Sequence, residues 1–172
     1  MKTISLTDDA YERLKSWKSP EWDSFSKVVP RLGLRQLPRE KLRVDRLLDT
    51  NFLISRWREG EGSNASAWLK ANGNLVLGIP WIVKAEFLRG AEIAGHDRQA
   101  IRDFLKRFPT VWPDEETLEI YASLYSALKK RNELIGPNDL WIAATSLQRS
   151  VPLVSKNKVE FLRVPGLSLE CY

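Results

Sequence analysis

With 172 residues, 43% of them hydrophobic and 28% charged, the chain has the composition of an ordinary globular protein and can bury one sizeable core. It holds no hydrophobic run near the roughly 18 residues of a membrane-spanning helix, and its first residues lack the hydrophobic core of a secretory signal. The single cysteine, Cys171, excludes an internal disulfide and argues against a cysteine-bound metal, so we expect a protein of the reducing cytoplasm.

The net charge of +5 is unevenly distributed along the chain. Residues 1–30 carry equal numbers of basic and acidic side chains, whereas residues 31–46 carry six basic and two acidic ones. A short basic segment of this kind is typical of a contact with nucleic acid, although a solvated basic linker would have the same composition. The sequence leaves both interpretations open.

The amino-terminal part of the chain has a pattern of its own. Polar and apolar residues alternate over residues 2–7, which predicts a short strand, and capped hydrophobic stretches predict helices over 10–18 and 24–29. Gly33 and Pro38 among basic residues indicate a linker. We therefore expect a strand-helix-helix segment over residues 1–32, a basic linker over 33–44 and a main domain over 45–172.

Strands and helices alternate through the main domain. The predicted strands cover about 44–49, 75–79, 110–112, 152–155 and 164–170. The predicted helices cover about 52–58, 66–72, 83–94, 97–107, 115–131 and 139–148. This alternation is typical of an α/β fold with a mainly parallel sheet.

The end of the first predicted strand carries the first candidate site residue. Two buried-type residues, Leu47 and Leu48, lead directly into Asp49, and a new apolar run begins at Phe52. Because open α/β sheets bind ligands at the carboxyl ends of their strands, Asp49 is a candidate catalytic residue. Asp, Thr and Asn are also good helix caps, so a purely structural cap is the alternative.

Three further polar residues lie at comparable places: Glu86, Asp139 and Asn157. Glu86 stands among apolar neighbours, where an unpaired carboxylate is costly. Asp139 begins a predicted helix, and Asn157 follows a predicted strand. Each also has an ordinary structural explanation, as a solvent-facing helical residue, a favourable charge at a helix start and a turn residue respectively.

Taken together, these residues fit one chemistry. Carboxylates without histidine or cysteine companions are hard oxygen ligands, which suit Mg²⁺ or Mn²⁺ better than Zn²⁺. Carboxylates that hold such ions support the attack of water on a phosphodiester bond. The sequence therefore predicts a metal-dependent phosphodiesterase, provided that the fold brings Asp49, Glu86 and Asp139 together.

The same residues lie in four segments that resemble, in order and spacing, the four motifs of PIN-domain ribonucleases. The segments are Leu48–Ile54, Ala85–Ala91, Asn138–Ala144 and Leu153–Asn157 with Phe161. The likeness is strongest to the VapC-type toxins of toxin–antitoxin pairs and covers about residues 45–172. It implies a three-layer α/β/α fold with a mainly parallel central sheet, and an RNA substrate.

The resemblance also implies roles for individual residues. In that family the acids of the first three motifs bind Mg²⁺ or Mn²⁺, which carries over to Asp49, Glu86 and Asp139. The fourth motif ends here in Asn157, which adds no negative charge, and Glu160 would share its face of a helix as a substitute. The residues that we expect to contact the substrate are Asn51, Ser155 and Lys156.

The amino-terminal segment resembles the start of a VapB-type antitoxin, in the stretches Met1–Lys15 and Ser24–Val29. Pro30 departs from that pattern by interrupting the second helix. The two resemblances imply an antitoxin or the chain's own antitoxin-like segment, operator DNA and a second copy of the chain as partners. Two functions stay open: an endoribonuclease toxin, and a catalytically silenced PIN-fold regulator that binds DNA or inhibits itself.

Overall fold

The chain separates into two units, Met1–Glu40 and Lys41–Tyr172, and the structure, a computed structural model, describes residues 43–172. The elements predicted before residue 43 lie outside the described residues. The strands are β1 Arg46–Leu48, β2 Leu77–Pro80, β3 Thr110–Val111, β4 Leu153–Val154 and β5 Leu169–Glu170. They form one parallel sheet in the order β3-β2-β1-β4-β5, which confirms the predicted fold class.

Strand β1 lies at the centre of the sheet and has helices on both of its faces. Successive strand residues point to opposite faces, and Leu47 and Leu48 are both 0% exposed, so the fold has three layers. The chain reaches β2 and β3 on one side of β1, and β4 and β5 on the other. This change of direction opens a crevice at the carboxyl end of β1, where α/β folds bind ligands.

Seven helices connect the strands within the described residues. They are α1 Thr50–Glu59, α2 Asn64–Ala71, α3 Trp81–Ile93, α4 Arg98–Leu105, α5 Glu115–Lys130, α6 Pro137–Arg149 and α7 Lys158–Phe161, with a 3₁₀ turn at Gly60–Gly62. Side-chain caps fix the starts of four of them, at Asp49, Ser63, Asp97 and Asp114. Among residues 43–172, none of these helices has the length and hydrophobicity of a membrane span.

Several predicted boundaries differ from the structure, two of them at a proline. Strand β2 begins two residues later than predicted and continues through Pro80, after which α3 starts at once with Trp81. Helix α6 starts at Pro137 rather than at Asp139, because proline has a helical φ and its missing N–H is not needed in the first turn. The last strand shrinks to Leu169–Glu170.

The close approach of β1 and β2 depends on Gly78, and this gives a first prediction. A Cβ atom at Gly78 would lie 2.7 Å from Val44 Cγ1 and 3.2 Å from Leu47 Cδ2. We expect Gly78→Ala to lower the free energy of unfolding by about 1–3 kcal/mol, the usual cost of overpacking a core. Urea unfolding followed by circular dichroism measures this change.

Gly90 provides the matched control in the middle of α3. A Cβ atom there meets nothing within 4 Å, and alanine is a better helix former than glycine by roughly 1 kcal/mol. Gly90→Ala is therefore expected to raise the urea midpoint while Gly78→Ala lowers it. Equal midpoints for Gly78→Ala and the unmodified chain would contradict the packing argument.

Candidate active site

Asp49 follows β1 directly and lies in a nearly closed environment. Its backbone is extended, with φ −79° and ψ 161°, and the residue is 3% exposed. One carboxylate oxygen accepts the backbone N–H of Thr50 at 2.5 Å. The other accepts the hydroxyl of Ser155, which follows β4, at 2.6 Å. Asp49 is thus both the predicted cap of α1 and a side chain held between two neighbouring strand ends.

Glu86 reaches the same place from the second turn of α3. Its carboxylate accepts the hydroxyl of Thr50 and the side-chain amide of Asn138, the latter at 2.6 Å. Both donors are the immediate chain neighbours of the other two predicted acids, Asp49 and Asp139. The interpretation of Glu86 as a mere solvent-facing helical residue therefore does not describe its contacts.

The fourth segment closes the group through Asn157. Its side-chain amide donates to Asp139 at 3.1 Å, and its backbone N–H donates to the Ser155 hydroxyl oxygen at 2.9 Å. Glu160 lies one turn further, in α7, and accepts the backbone N–H of Gly136 at 3.4 Å. The four predicted segments, although far apart in sequence, meet at one edge of the sheet.

Burial and the neighbouring carboxylates raise the pKa of two of the acids. The pKa of Asp139 is raised from 3.8 to about 6, first by burial and then by the charges of Asp49, Glu160 and Glu86, against a hydrogen bond from Asn157. Burial also raises the pKa of Asp49, which hydrogen bonds from Ser155 and Thr50 partly offset. Such raised pKa values are typical of functional sites that gather like charges.

The donor set suits a hard divalent cation. Within residues 43–172, no ion pair joins a lysine or arginine to Asp49, Glu86 or Asp139. Their hydrogen-bond donors are neutral hydroxyl, amide and backbone groups. In this part of the chain, no three His, Cys, Asp or Glu side chains are arranged to hold one ion as they stand. The acids therefore suit a divalent cation by their chemistry, because they offer oxygen ligands with uncompensated negative charge. Their side chains are not already arranged around one ion.

The three predicted substrate residues have different surroundings. Asn51 is exposed in the first turn of α1, and Lys156 is exposed in the turn after β4. Ser155 is 0% exposed and its hydroxyl already donates to Asp49. In these positions Asn51 and Lys156 are open to a substrate, whereas Ser155 orients an acid.

Thr50 and Asn138 are two site residues whose contact with an acid was not predicted from the sequence. Both belong to the motif segments, but their roles depend on Glu86, which is 36 and 52 residues away in sequence. Their position directly beside an acid was the available indication in the sequence that they belong to the site.

The half-buried Trp81 and Trp141 lie close together, with ring centroids 6.1 Å apart. Trp141 also stacks on Tyr121, with ring centroids 4.0 Å apart, as expected of aromatic residues that pack in the core.

Comparisons with known proteins show the family to which the main domain belongs. The model of the PIN domain family matches residues 46–167. The chain belongs to the PIN-domain family. A Ribonuclease VapC1 of Methanocaldococcus jannaschii is 32% identical over 147 residues, covering 85% of this chain and 98% of that protein. A Ribonuclease VapC1 of Haemophilus influenzae is 32% identical over 124 residues, covering 70% and 92%. The predicted resemblance to VapC-type PIN domains is therefore confirmed.

Solved structures show the same PIN fold. VapBC2 from Rickettsia felis, bound to a DNA fragment from its promoter, matches with a TM-score of 0.65 and 27% identity, over 74% of this chain and 98% of that one. VapBC-1 from nontypeable Haemophilus influenzae matches with a TM-score of 0.64 and 28% identity, over 73% and 96%. The PIN domain of this chain thus has the VapC architecture.

The segment that precedes the PIN domain matches a different family. A putative antitoxin family model covers residues 1–44. A putative antitoxin of Methanosarcina mazei is 50% identical over 40 residues, which are 23% of this chain and 46% of that protein. The chain therefore joins a VapB-like sequence to a VapC-type PIN domain, as the sequence resemblance implied.

Proposed function

We propose that this chain is a metal-dependent endoribonuclease that hydrolyses RNA phosphodiester bonds, the toxin component of a toxin–antitoxin system. The observation that carries the proposal is the meeting of Asp49, Glu86 and Asp139 at the carboxyl edge of a parallel sheet without a basic partner among the described residues. Its relatives carry the name ribonuclease. This substrate would place the enzyme in the cytoplasm.

Asp49, Glu86 and Asp139 would hold Mg²⁺ or Mn²⁺, with Glu160 close enough to add charge at Asp139. When bound, such an ion stabilises the negative charge that develops on the phosphate and lowers the pKa of water. The chain's neutral groups would orient the acids. Ser155 directs Asp49, Thr50 and Asn138 direct Glu86, and Asn157 directs Asp139.

Removal of divalent ions gives the direct test of this function. We expect the intact chain to cleave a labelled pool of tRNA and rRNA in Mn²⁺ or Mg²⁺, and cleavage to fall to background in EDTA. Restoring Mn²⁺ should restore the cleavage, because the carboxylates stay in place. Electrophoresis of end-labelled RNA measures it. Cleavage that persists unchanged in EDTA would argue against a cation at the acids.

The antitoxin-like segment favours a second function, a PIN-fold regulator that is silenced and binds DNA. The comparison structure from Rickettsia felis is a VapBC complex with promoter DNA, and residues 1–44 match an antitoxin model. We propose an antitoxin, or this segment itself, and operator DNA as partners, with a homodimer as the assembly. Light scattering on the purified chain tests the dimer.

Shortening the chain separates the two functions. A chain that starts at Leu42 retains β1 and the unit from which the site is built. Equal cleavage by both chains makes residues 1–41 a passive appendage, and cleavage by the short chain alone makes them an inhibitor. Silence of both, with tight and salt-dependent DNA binding by the intact chain, would favour the regulator over the nuclease.

A further inference from the structure

Lys156 occupies a special place between two residues that contact the acids. Ser155 donates to Asp49, and Asn157 donates to Asp139. The turn is closed by the N–H of Lys158, which donates to the carbonyl of Lys156 at 2.9 Å. The backbone of Lys156 is therefore fixed at the rim of the acid site, the group formed by Asp49, Glu86 and Asp139, while its side chain is exposed.

The ammonium group of Lys156 lies over the ring of Tyr172. Its Nζ atom is 4.6 Å from the ring centroid, within the range of a cation–π interaction. None of the ion pairs among residues 43–172 involves Lys156. An ion pair would have neutralised the charge, whereas an aromatic ring fixes the position of the ammonium and leaves its charge available to an anion.

Tyr172 is itself held firmly enough to act as a platform. Its ring packs against Phe52 with centroids 4.6 Å apart and planes at 64°, and Phe52 packs edge-on against Trp68 at 5.7 Å. Burial and the charges of Asp49 and Glu59 raise the pKa of Tyr172 above its ordinary value, so the phenol stays neutral. The influence of Asp49 also indicates that the ring lies beside the acid site.

We propose that Tyr172 is a positioning residue that holds the Lys156 ammonium at the rim of the acid site, where it binds a backbone phosphate of the RNA. This inference rests on the proposed function. The clustered carboxylates repel phosphates, and an ammonium group at their rim offsets part of that repulsion in addition to any divalent ion that the acids hold. A lysine chain loses considerable rotamer freedom when it is fixed, and a ring that fixes it beforehand reduces that loss.

The chain offers a matched control pair on α5. Lys129 Nζ lies 5.8 Å from the ring centroid of Tyr125, in a helix that contributes none of the site residues. Tyr125→Leu and Lys129→Gln repeat the same chemical changes away from the acids. They are expected to leave the KM of RNA cleavage unchanged.

The test combines kinetics with a direct view of the lysine. The full chain is assayed in Mn²⁺ with a labelled tRNA pool, as Lys156→Gln, Tyr172→Leu, Tyr172→Phe and the double variant Lys156→Gln/Tyr172→Leu. We expect Tyr172→Leu to raise KM roughly two- to fivefold with kcat unchanged, the size of one exposed cation–π contact. Tyr172→Phe, which keeps the ring, should restore the original KM.

Two further readouts distinguish positioning from simple structural support. Lys156→Gln should reduce the slope of log KM against log salt by roughly one, as the loss of one phosphate contact does, and Tyr172→Leu should add nothing in that background. In carbon-13 NMR, the ring-current shift of the Lys156 side chain should persist in Tyr172→Phe and vanish in Tyr172→Leu.

The outcomes separate this inference from the proposed function. Cleavage by the unmodified chain with an unchanged KM in Lys156→Gln would overturn the inference alone. The same loss from Tyr172→Leu with and without Lys156 would also overturn it, because the ring would then act through packing. If the unmodified chain neither binds nor cleaves the tRNA pool, both the function and the inference fall.

Discussion

Asp49→Asn is expected to lower kcat/KM for RNA cleavage on the order of 10³-fold while leaving the protein folded. The substitution removes one negative charge from the centre of the acid group, and losing one such electrostatic contribution commonly costs a factor of 10²–10³. Asparagine still caps a helix well and can still accept a hydrogen bond from Ser155 or Thr50. Cleavage of a labelled tRNA pool in Mn²⁺ measures the loss.

The stability of Asp49→Asn gives the second half of that result. Burial raises the pKa of Asp49, so the charged form is unfavourable in the folded protein at neutral pH, and neutral asparagine relieves this cost. We expect the melting temperature to stay within a few degrees of the original. Retention of full activity would remove Asp49 from the catalytic group.

Asp97→Asn is the matched control for this substitution. Asp97 is also a helix cap, and its carboxylate accepts the N–H of Ala100 at 2.7 Å at the start of α4. It is exposed and lies outside the acid site. The same chemical change at Asp97 should alter the cleavage rate by less than about twofold, because substitutions at exposed positions away from a functional site usually have small effects.

Asp139→Asn is expected to change activity and stability in opposite directions. Cleavage should fall by roughly 10²–10³-fold for the reason given for Asp49. Folding raises the pKa of Asp139 from 3.8 to about 6, so the folded state holds the proton more tightly than the unfolded chain does. Its contribution to stability is therefore fully present below about pH 4 and is lost as the pH rises through 6.

The neutral asparagine should remove this loss. We expect the melting temperature of Asp139→Asn to exceed that of the unmodified chain by about 2–4 °C at pH 7.5, a modest value because Asp139 is partly exposed and screened by solvent. At pH 4 the two proteins should melt together. Differential scanning calorimetry at both pH values measures the difference, and the expectation fails if Asp139→Asn is the less stable protein at pH 7.5.

Asp103→Asn on α4 provides the control, because the pKa of Asp103 is shifted in the direction opposite to that of Asp139. The pKa of Asp103 is lowered, first by Lys106 and then by Gln99, so its charged form is the favoured one in the folded protein. Its removal should leave the melting temperature unchanged or slightly lower at pH 7.5, and cleavage intact.

Local patterns allowed much of this architecture to be predicted. The apolar run at Leu47 and Leu48 that ends in Asp49, together with the regular alternation of strands and helices, indicated both the parallel sheet and the edge at which a site forms. The predicted boundaries were wrong beside two prolines. Strand β2 continues through Pro80, so α3 begins two residues earlier than the apolar periodicity predicts. Helix α6 begins at Pro137, also two residues earlier than predicted.

The contacts of the site were less predictable because they join distant parts of the chain. Nothing near Glu86 in sequence indicates that its partners are Thr50 and Asn138. The position of Lys156 over Tyr172 depends on how the segment after β5 returns to α1. Sequence patterns reflect interactions between residues that are close in sequence. These pairs form only because the order of the strands in the sheet brings distant segments together.

The two hydrogen bonds received by Glu86 have a consequence for evolution. Its donors, Thr50 and Asn138, each stand next to another acid, so the three acids depend on residues that carry no charge themselves. A glutamate replaced by the shorter aspartate would lose reach to both donors at once. Among relatives of this chain, we therefore expect the residues at positions 50, 86 and 138 to covary. A relative in which one of the three is replaced should also have replacements at the other two.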